Sequence, residues 1–217
     1  MTNTTAKNRS MNPRTLLAYG ITGITAALLG VLMAWIMLQK NPSDIPDGGS
    51  TVALQQPREI MPFAVIDESG QPVSALAGGW SMAFFGFVNC PDICPQTLHL
   101  LQQMIDTLRA DTPTPTVYLV SVDPARDTAA KLQQYVAAFN PNFKALTGPE
   151  AEIKKLAQSM GAAFFRAPGG SDDDYTMNHT AAVFVVNPQG KLAGYSNAPH
   201  SVESLRSAYQ TIVKAKQ

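Results

Sequence analysis

The chain has 217 residues, 16 of them basic and 16 acidic, so its formal net charge is zero. This balance argues against a nucleic-acid-binding protein, which needs a basic surface to contact phosphates. Hydrophobic residues make up 45% of the chain, which is enough to build a core and excludes a globally disordered protein. The two cysteines exclude a disulfide-rich mini-protein and a zinc module held by four cysteines.

An uncharged stretch near the N terminus is long enough to cross a membrane. Residues 16–38 carry no charge, and a helix of that length spans about 34 Å. A signal peptide has a shorter apolar region and a small-residue cleavage site, whereas a buried core helix shows a polar stripe. The segment has none of these features, so we expect a retained transmembrane helix at 16–38, preceded by an N-terminal segment at 1–15.

The charges on the two sides of this segment predict its orientation. Lys7, Arg9 and Arg14 precede it, whereas Lys40, Asp44 and Asp47 follow it. Because positively charged flanks stay in the cytoplasm, residues 1–15 are expected there and the C-terminal part outside. For a bacterium this means a single-pass protein of the inner membrane with its C-terminal domain in the periplasm, and the equivalent mitochondrial arrangement stays open.

The part of the chain beyond the anchor divides into a linker and one domain. Residues 39–59 contain several prolines and glycines and are predicted to form a loose linker. Residues 60–217 then remain for a single globular domain, a length that suits one hydrophobic core.

Predicted strands and helices alternate along this domain. In chain order they are a hairpin over 63–73, a buried strand over 81–88, a helix after Pro95, a buried strand over 116–122, a helix capped by Asp127, a short strand over 143–146, a helix from Pro149 to Gly161, a hairpin over 182–195 and a helix capped by Ser201. This alternation indicates an α/β fold with a mixed sheet flanked by helices. The closing hairpin and helix fit a thioredoxin-like arrangement.

The only two cysteines, Cys90 and Cys94, lie where the strand over 81–88 gives way to a helix. Open α/β sheets place ligand sites at this edge, and a helix N terminus stabilises thiolates. Cysteines four residues apart on a helical face have Cβ atoms about 5–6 Å apart, which suits two thiolates that converge on one metal ion. A disulfide, either redox-active or passive, stays open as an alternative.

A soft-metal site needs a third ligand, and the chain has three histidines. His99 points away from both cysteines on an extended helix, and His200 is expected in an exposed loop. His179 comes just before the buried strand near 182–186, where the chain can reach the edge that bears the cysteines. The residues alone leave a metal ligand and a hydrogen-bonded structural histidine equally open at this position.

Three ordered motifs resemble the Sco/SenC family. The segment from Phe85 to Pro95, FGFVNCPDICP, is similar to the copper-site signature of that family, and SVDPARDT from Ser121 to Thr128 is similar to a second family segment. The segment from Asp174 to His179 is similar to the one that bears the family's histidine ligand. The resemblance covers roughly residues 60–214 and implies an anchored, thioredoxin-fold copper metallochaperone that delivers copper to the dinuclear centre of cytochrome oxidase.

The resemblance also implies ligands and partners. Cys90, Cys94 and His179 would bind Cu(I). Asp123 is a candidate additional ligand for Cu(II), with a helix-capping or turn role as the alternative. The implied partners are the copper-receiving subunit of cytochrome oxidase, a thioredoxin-like reductant that keeps both cysteines reduced, and other copper chaperones. Thr180 stands where serine is common in the family, and this difference touches no ligand.

Two enzymatic interpretations remain as alternatives to a metallochaperone that is not an enzyme. A thiol–disulfide oxidoreductase would use Cys90 and Cys94 without a metal to reduce the cysteines of the oxidase centre or of another extracytoplasmic protein. Thioredoxin-type enzymes separate their cysteines by two residues, so the three residues here count against this interpretation. A peroxide-reducing enzyme of similar fold is the other alternative.

Overall fold

The structure of the chain is a computed structural model that describes residues 26–33, 49–171 and 174–216. The chain divides into two compact units, Met1–Ile45 and Pro46–Gln217.

In the first unit, residues 26–33 are helical and exposed. Among the residues that the structure describes, no helix is both long and apolar enough to cross a membrane. The predicted segment 1–15 and the rest of the predicted anchor at 16–38 lie outside the described residues, so the anchor stays a prediction.

The second unit is built on an eight-stranded mixed sheet and a separate two-stranded sheet. The strands are β1 (Thr51–Arg58), β2 (Val65–Asp67), β3 (Pro72–Val73), β4 (Ser81–Gly86), β5 (Thr116–Ser121), β6 (Lys144–Thr147), β7 (Phe164–Arg166), β8 (Met177–His179), β9 (Val183–Val186) and β10 (Leu192–Ser196). The large sheet has the order β1-β10-β9-β4-β5-β6-β2-β3, and β7 pairs with β8. Strands β4, β5 and β6 are parallel to one another, and the other pairs are antiparallel.

Four helices connect or close these strands. They are α1 (Ile93–Asp106), α2 (Ala129–Ala137), α3 (Glu150–Met160) and α4 (Val202–Lys214). Helices α1 and α4 contact each other, α4 also contacts β1 and β10, and α2 contacts β6. The mixed α/β sheet with flanking helices that the sequence predicts is therefore confirmed.

The core lies around the central strands. Every residue of β4 and of β9 is buried, as expected for continuous apolar runs in strands that are covered on both faces. Phe84 and Phe85 are fully buried, and Phe85 packs edge-on against Phe184 at 5.7 Å between ring centroids. This rigid centre ends at Gly86, only four residues before Cys90.

The linker predicted for residues 39–59 extends too far along the chain. Thr51–Arg58 is a strand that pairs antiparallel with β10 at the edge of the sheet, with a register irregularity between Ala53 and Arg58. An edge strand is half exposed and needs no continuous apolar run, and Pro57 is tolerated there because one side of the strand makes no ladder hydrogen bonds. The domain therefore begins before residue 60.

Two predicted helix starts are also corrected. Helix α1 begins at Ile93, ahead of Pro95, because proline is tolerated in a first helical turn that has no hydrogen-bond acceptors for its N–H groups. Helix α2 is capped by Thr128, whose side chain accepts a hydrogen bond from Lys131, and not by Asp127. The predicted end of α3 at Gly161 and the predicted N-terminal cap of α4 at Ser201 are confirmed.

Candidate metal centre

Both cysteines lie beyond the C-terminal end of β4, as predicted, but only one of them is helical. Cys90 lies in the loop before the N-cap residue Asp92, and Cys94 lies in the first turn of α1. The pair therefore does not occupy one helical face. Instead the backbone N–H of Cys94 donates a hydrogen bond to Sγ of Cys90 at 3.4 Å, and both side chains are free cysteines.

A glycine at the end of β4 makes room for the buried thiol. A Cβ atom at Gly86 would lie 3.0 Å from Sγ of Cys94 and 3.0 Å from Cδ1 of Leu119. Those contacts are tighter than an ordinary Cβ makes, so the lack of a side chain at Gly86 helps the sulfur of Cys94 to pack close against the sheet.

His179 reaches the cysteines from the last residue of β8. Its Nε2 lies 3.5 Å from Sγ of Cys94, although 85 residues separate the two positions in the chain. Sγ of Cys90, Sγ of Cys94 and a ring nitrogen of His179 all lie within 4.8 Å of one another. This cluster of three ligand atoms is small enough to converge on a single metal ion.

The imidazole ring of His179 is held by two aromatic rings and one carbonyl. Phe84 and Phe87 pack edge-on against it, with ring centroids 5.7 and 6.0 Å away. Nδ1 lies 3.3 Å from the carbonyl oxygen of Thr180. When Nδ1 carries the proton and donates it to this carbonyl, the lone pair of Nε2 faces Cys94 and is free to bind a metal.

The two thiols differ in acidity because they share a hydrogen bond. The hydrogen bond from Cys94 lowers the pKa of Cys90 to about 4, with smaller contributions from His179 and two backbone N–H groups, while burial opposes the change. The same hydrogen bond, together with burial, raises the pKa of Cys94. The pair therefore loses its first proton at Cys90 and carries one negative charge that attracts a soft cation.

Asp123, the candidate additional ligand, does not join this cluster. Its carboxylate is buried and accepts a hydrogen bond from Nε of Arg126 at 2.5 Å and another from the hydroxyl of Tyr175 at 2.6 Å. Both carboxylate oxygens are therefore engaged by the protein, and the structure places Asp123 as an anchor between the turn after β5 and the chain that leads to β8.

The other two histidines lie outside the cluster. His99 is exposed on α1 beside Gln103, as predicted. The exposed position predicted for His200 is wrong, because its Nε2 lies 2.8 Å from the carbonyl oxygen of Ala181 and burial lowers its pKa. His200 lies two residues before α4, and this contact holds it against the chain just ahead of β9.

Sequence reasoning missed the role of Asp127. Its buried carboxylate accepts hydrogen bonds from Oγ of Ser121 at 2.7 Å and from the backbone N–H of Val88 at 3.2 Å. It thereby ties the loop before Cys90 to the end of β5, and burial raises its pKa. A polar residue just ahead of a helix suggests a cap, and the pattern contains no signal for the buried alternative.

Tyr175 was also missed as a contact of the site. Its half-buried ring lies under two guanidinium groups, with Cζ of Arg126 3.6 Å and Cζ of Arg166 4.2 Å from the ring centroid. Its hydroxyl donates to Asp123, and this hydrogen bond raises the pKa of Tyr175.

Comparisons with known proteins agree with this geometry. The mitochondrial SCO2 homolog from Mus musculus is 31% identical to this chain over 190 residues, which cover 85% of this chain and 74% of that protein. The crystal structure of Arabidopsis thaliana ScoI with copper bound is 31% identical with a TM-score of 0.66, over 70% of this chain and 96% of the other.

A second similar structure is yeast Sco1 with copper bound, which is 29% identical with a TM-score of 0.66 over 73% of this chain and 90% of the other. These similarities confirm the predicted thioredoxin-like fold. Residues 51–214 match the family model described as SCO1/SenC. The match begins at the first residue of β1 and includes the Cys-Cys-His cluster, so the chain belongs to the SCO1/SenC family.

Proposed function

We propose that this chain is a copper metallochaperone that binds copper through Cys90, Cys94 and His179 and delivers it to the dinuclear copper centre of cytochrome oxidase. The observation that carries the proposal is the approach of the three ligand atoms to within 4.8 Å of one another. Two of the similar structures are named as copper-bound members of the family.

The donor set suits copper better than zinc. Two thiolate sulfurs and one imidazole nitrogen are soft and borderline ligands, and a three-ligand site of this kind favours Cu(I). Zinc in a structural site takes four protein ligands, and no other His, Cys, Asp or Glu side chain within the described ranges 26–33, 49–171 and 174–216 joins this cluster. Bound copper is the cargo here, and the half-buried Cys90 leaves the ion accessible to a partner's ligands.

The proposed location follows from the sequence. A single helix at 16–38 would anchor the chain in the inner membrane, with the SCO1/SenC domain in the periplasm beside the membrane-bound oxidase. In that oxidising space a thioredoxin-like reductant would keep Cys90 and Cys94 reduced so that they can take up copper. Other copper chaperones would supply the ion.

Copper binding by the full-length chain in detergent tests the proposal. We expect one copper per chain with two sulfur neighbours and one nitrogen neighbour in copper-edge X-ray absorption. Cys94→Ser and His179→Ala should each remove one neighbour and weaken binding, whereas His99→Ala, which changes a surface histidine on α1, should bind like the wild type. Wild-type stoichiometry and affinity in both ligand variants would contradict the proposed site.

A delivery assay tests the chaperone function itself. The copper-loaded chain is mixed with the copper-free oxidase subunit, and the absorption spectrum of the dinuclear centre is followed. Spectral development that requires His179 as well as the cysteines supports metal transfer.

A thiol–disulfide oxidoreductase is the second candidate function. Cys90 favours it, because a half-buried thiol with a pKa lowered to about 4 beside a second cysteine is suited to disulfide exchange. In this reading the chain would reduce the cysteines of the oxidase centre or of another extracytoplasmic protein. Cellular function that survives His179→Ala but not Cys90→Ser would favour this candidate over the metallochaperone.

A further inference from the structure

The turn between β5 and α2 is tied to both chain segments that carry the proposed copper ligands. Through Asp127 it accepts a hydrogen bond from the backbone of Val88, two residues before Cys90. Through Asp123 it accepts a hydrogen bond from the hydroxyl of Tyr175, four residues before His179. Two buried carboxylates of one turn thus hold the cysteine loop and the histidine segment.

The attachment of Tyr175 combines a hydrogen bond with the packing of charged groups on its ring. Arg126 bonds to Asp123 through Nε and places its Cζ 3.6 Å from the Tyr175 ring centroid, while Arg166 comes from β7 with its Cζ at 4.2 Å. Guanidinium groups are attracted to the faces of aromatic rings at such distances. The hydroxyl and the ring of one tyrosine therefore join the β5–α2 turn, β7 and the start of β8.

A short, stiff piece of chain connects Tyr175 to His179. The backbone N–H of Ala167 donates to the carbonyl of Thr176, and β7 then pairs with β8 from Met177 to His179. Four residues of extended chain span about 13 Å, so a fixed Tyr175 limits where His179 can lie. Few polar contacts hold the ring of His179 itself: Nδ1 faces the carbonyl of Thr180 and Nε2 faces Sγ of Cys94.

We propose that Tyr175 is a positioning residue that, through its hydrogen bond to Asp123 and its contacts with Arg126 and Arg166, holds the β7–β8 hairpin so that His179 stays beside the two cysteines. This inference rests on the proposed copper site. It gives Asp123 a role in the site that requires no contact with the metal.

Substitutions at Tyr175 separate the hydroxyl from the ring. Tyr175→Phe keeps the ring under both guanidinium groups and loses only the hydrogen bond, whereas Tyr175→Leu loses both. Tyr209→Phe is a matched control, because the Tyr209 hydroxyl donates to the carbonyl of Pro113 away from the cluster. All variants are studied as the full-length chain in detergent.

The first measurement is hydrogen exchange of the copper-free chain. The amides of Ala167 and Thr180 report on the hairpin, since they donate to Thr176 and Ala163, respectively. We expect exchange at both amides to be roughly tenfold faster in Tyr175→Phe and faster still in Tyr175→Leu, since a hydrogen bond to a charged acceptor is worth about that factor or more. In Tyr209→Phe, the exchange rates of both amides, measured relative to the amides of β4, should equal those of the wild type.

The second measurement is copper coordination and affinity. In Tyr175→Phe we expect the nitrogen neighbour in copper-edge X-ray absorption to be partly lost while both sulfurs remain, and Cu(I) affinity measured against a competing chelator to fall roughly tenfold. Wild-type exchange and an intact nitrogen neighbour in Tyr175→Leu would overturn the positioning role. A wild-type chain that binds no copper would instead overturn the proposed function, and the exchange data would still decide the role of Tyr175.

Discussion

Cys90 and Cys94 carry the same thiol group, but their surroundings give them opposite properties. Cys94 is fully buried in the first turn of α1, and its sulfur packs where Gly86 lacks a side chain. Cys90 is half-buried in the loop, and its sulfur accepts a hydrogen bond from the backbone N–H of Cys94. One thiol is therefore charged and reachable, and the other is neutral and enclosed.

This difference predicts that Cys90 alone reacts with iodoacetamide in the native, copper-free chain. A pKa lowered to about 4 means that Cys90 is already a thiolate throughout pH 6–9, so its alkylation rate should stay nearly constant there. For an ordinary cysteine, with a pKa near 8.5, the alkylation rate below pH 8.5 rises about tenfold for each unit by which the pH increases. Mass spectrometry of the modified chain gives both the site and the rate.

The matched variant for this experiment is Cys90→Ser, which leaves only the buried Cys94. It should show almost no alkylation until the chain unfolds. A rate for the wild type that rises tenfold between pH 6 and pH 7 would contradict the lowered pKa of Cys90.

The residues of the site differ in how far the sequence predicts them. The two cysteines are the only ones in the chain, and their place after a buried strand already indicates a functional edge. His179 lies 85 residues from Cys94, and only its motif distinguishes it from a structural histidine. The bond from Tyr175 to Asp123 joins two loops across 52 residues, and neither periodicity nor spacing contains information about such a contact.

At the scale of the elements, burial separates what was predicted from what was missed. Strands β4, β5 and β9 lie in nearly continuous apolar runs, and these runs are sufficient to predict them from the sequence. Strands β1, β7 and β8 are short or largely exposed, so their sequences contain at most a few consecutive apolar residues and do not stand out as strands. They form because tertiary neighbours provide backbone partners: β10 for β1, and β7 and β8 for each other.

The contact between β1, β10 and α4 predicts a specific effect of one methyl group. A Cβ atom at Gly194 in β10 would lie 2.5 Å from the carbonyl oxygen of Val52 and 2.8 Å from Cδ1 of Ile212. Gly194→Ala should therefore push β1 or α4 away and lower the free energy of unfolding by about 1–3 kcal/mol. Urea unfolding followed by circular dichroism measures this change.

Gly79→Ala is the control, because no atom lies within 4 Å of the Cβ position at Gly79. That variant should retain the stability of the wild type. Equal stability of Gly194→Ala and Gly79→Ala would show that β1 and α4 pack less closely on β10 than the structure indicates.

At the scale of the whole molecule, the site depends on a scaffold that begins near residue 50. The compact unit runs from Pro46 to Gln217, and the family match begins at Thr51. Every proposed copper ligand lies at one end of this scaffold: the cysteines after β4, and His179 at the end of β8. Strand β1 lies at the edge of the sheet, separated from β4 by β10 and β9.

The position of β1 predicts where the chain can be shortened. A chain that starts at Pro46 retains β1 and should fold as a monomer.

A chain that starts at Ile60 lacks β1, and this exposes the backbone edge of β10. It also lacks Ala53 and Leu54, which pack against the core, and the carbonyl of Gln55, which accepts a hydrogen bond from Lys216. An unprotected strand edge promotes pairing between chains, so the shorter chain should unfold at lower urea concentration and form oligomers on size-exclusion chromatography. Both chains contain Cys90, Cys94 and His179, so a difference in stability alone identifies β1 as part of the scaffold, and equal unfolding curves would return residues 51–59 to the linker.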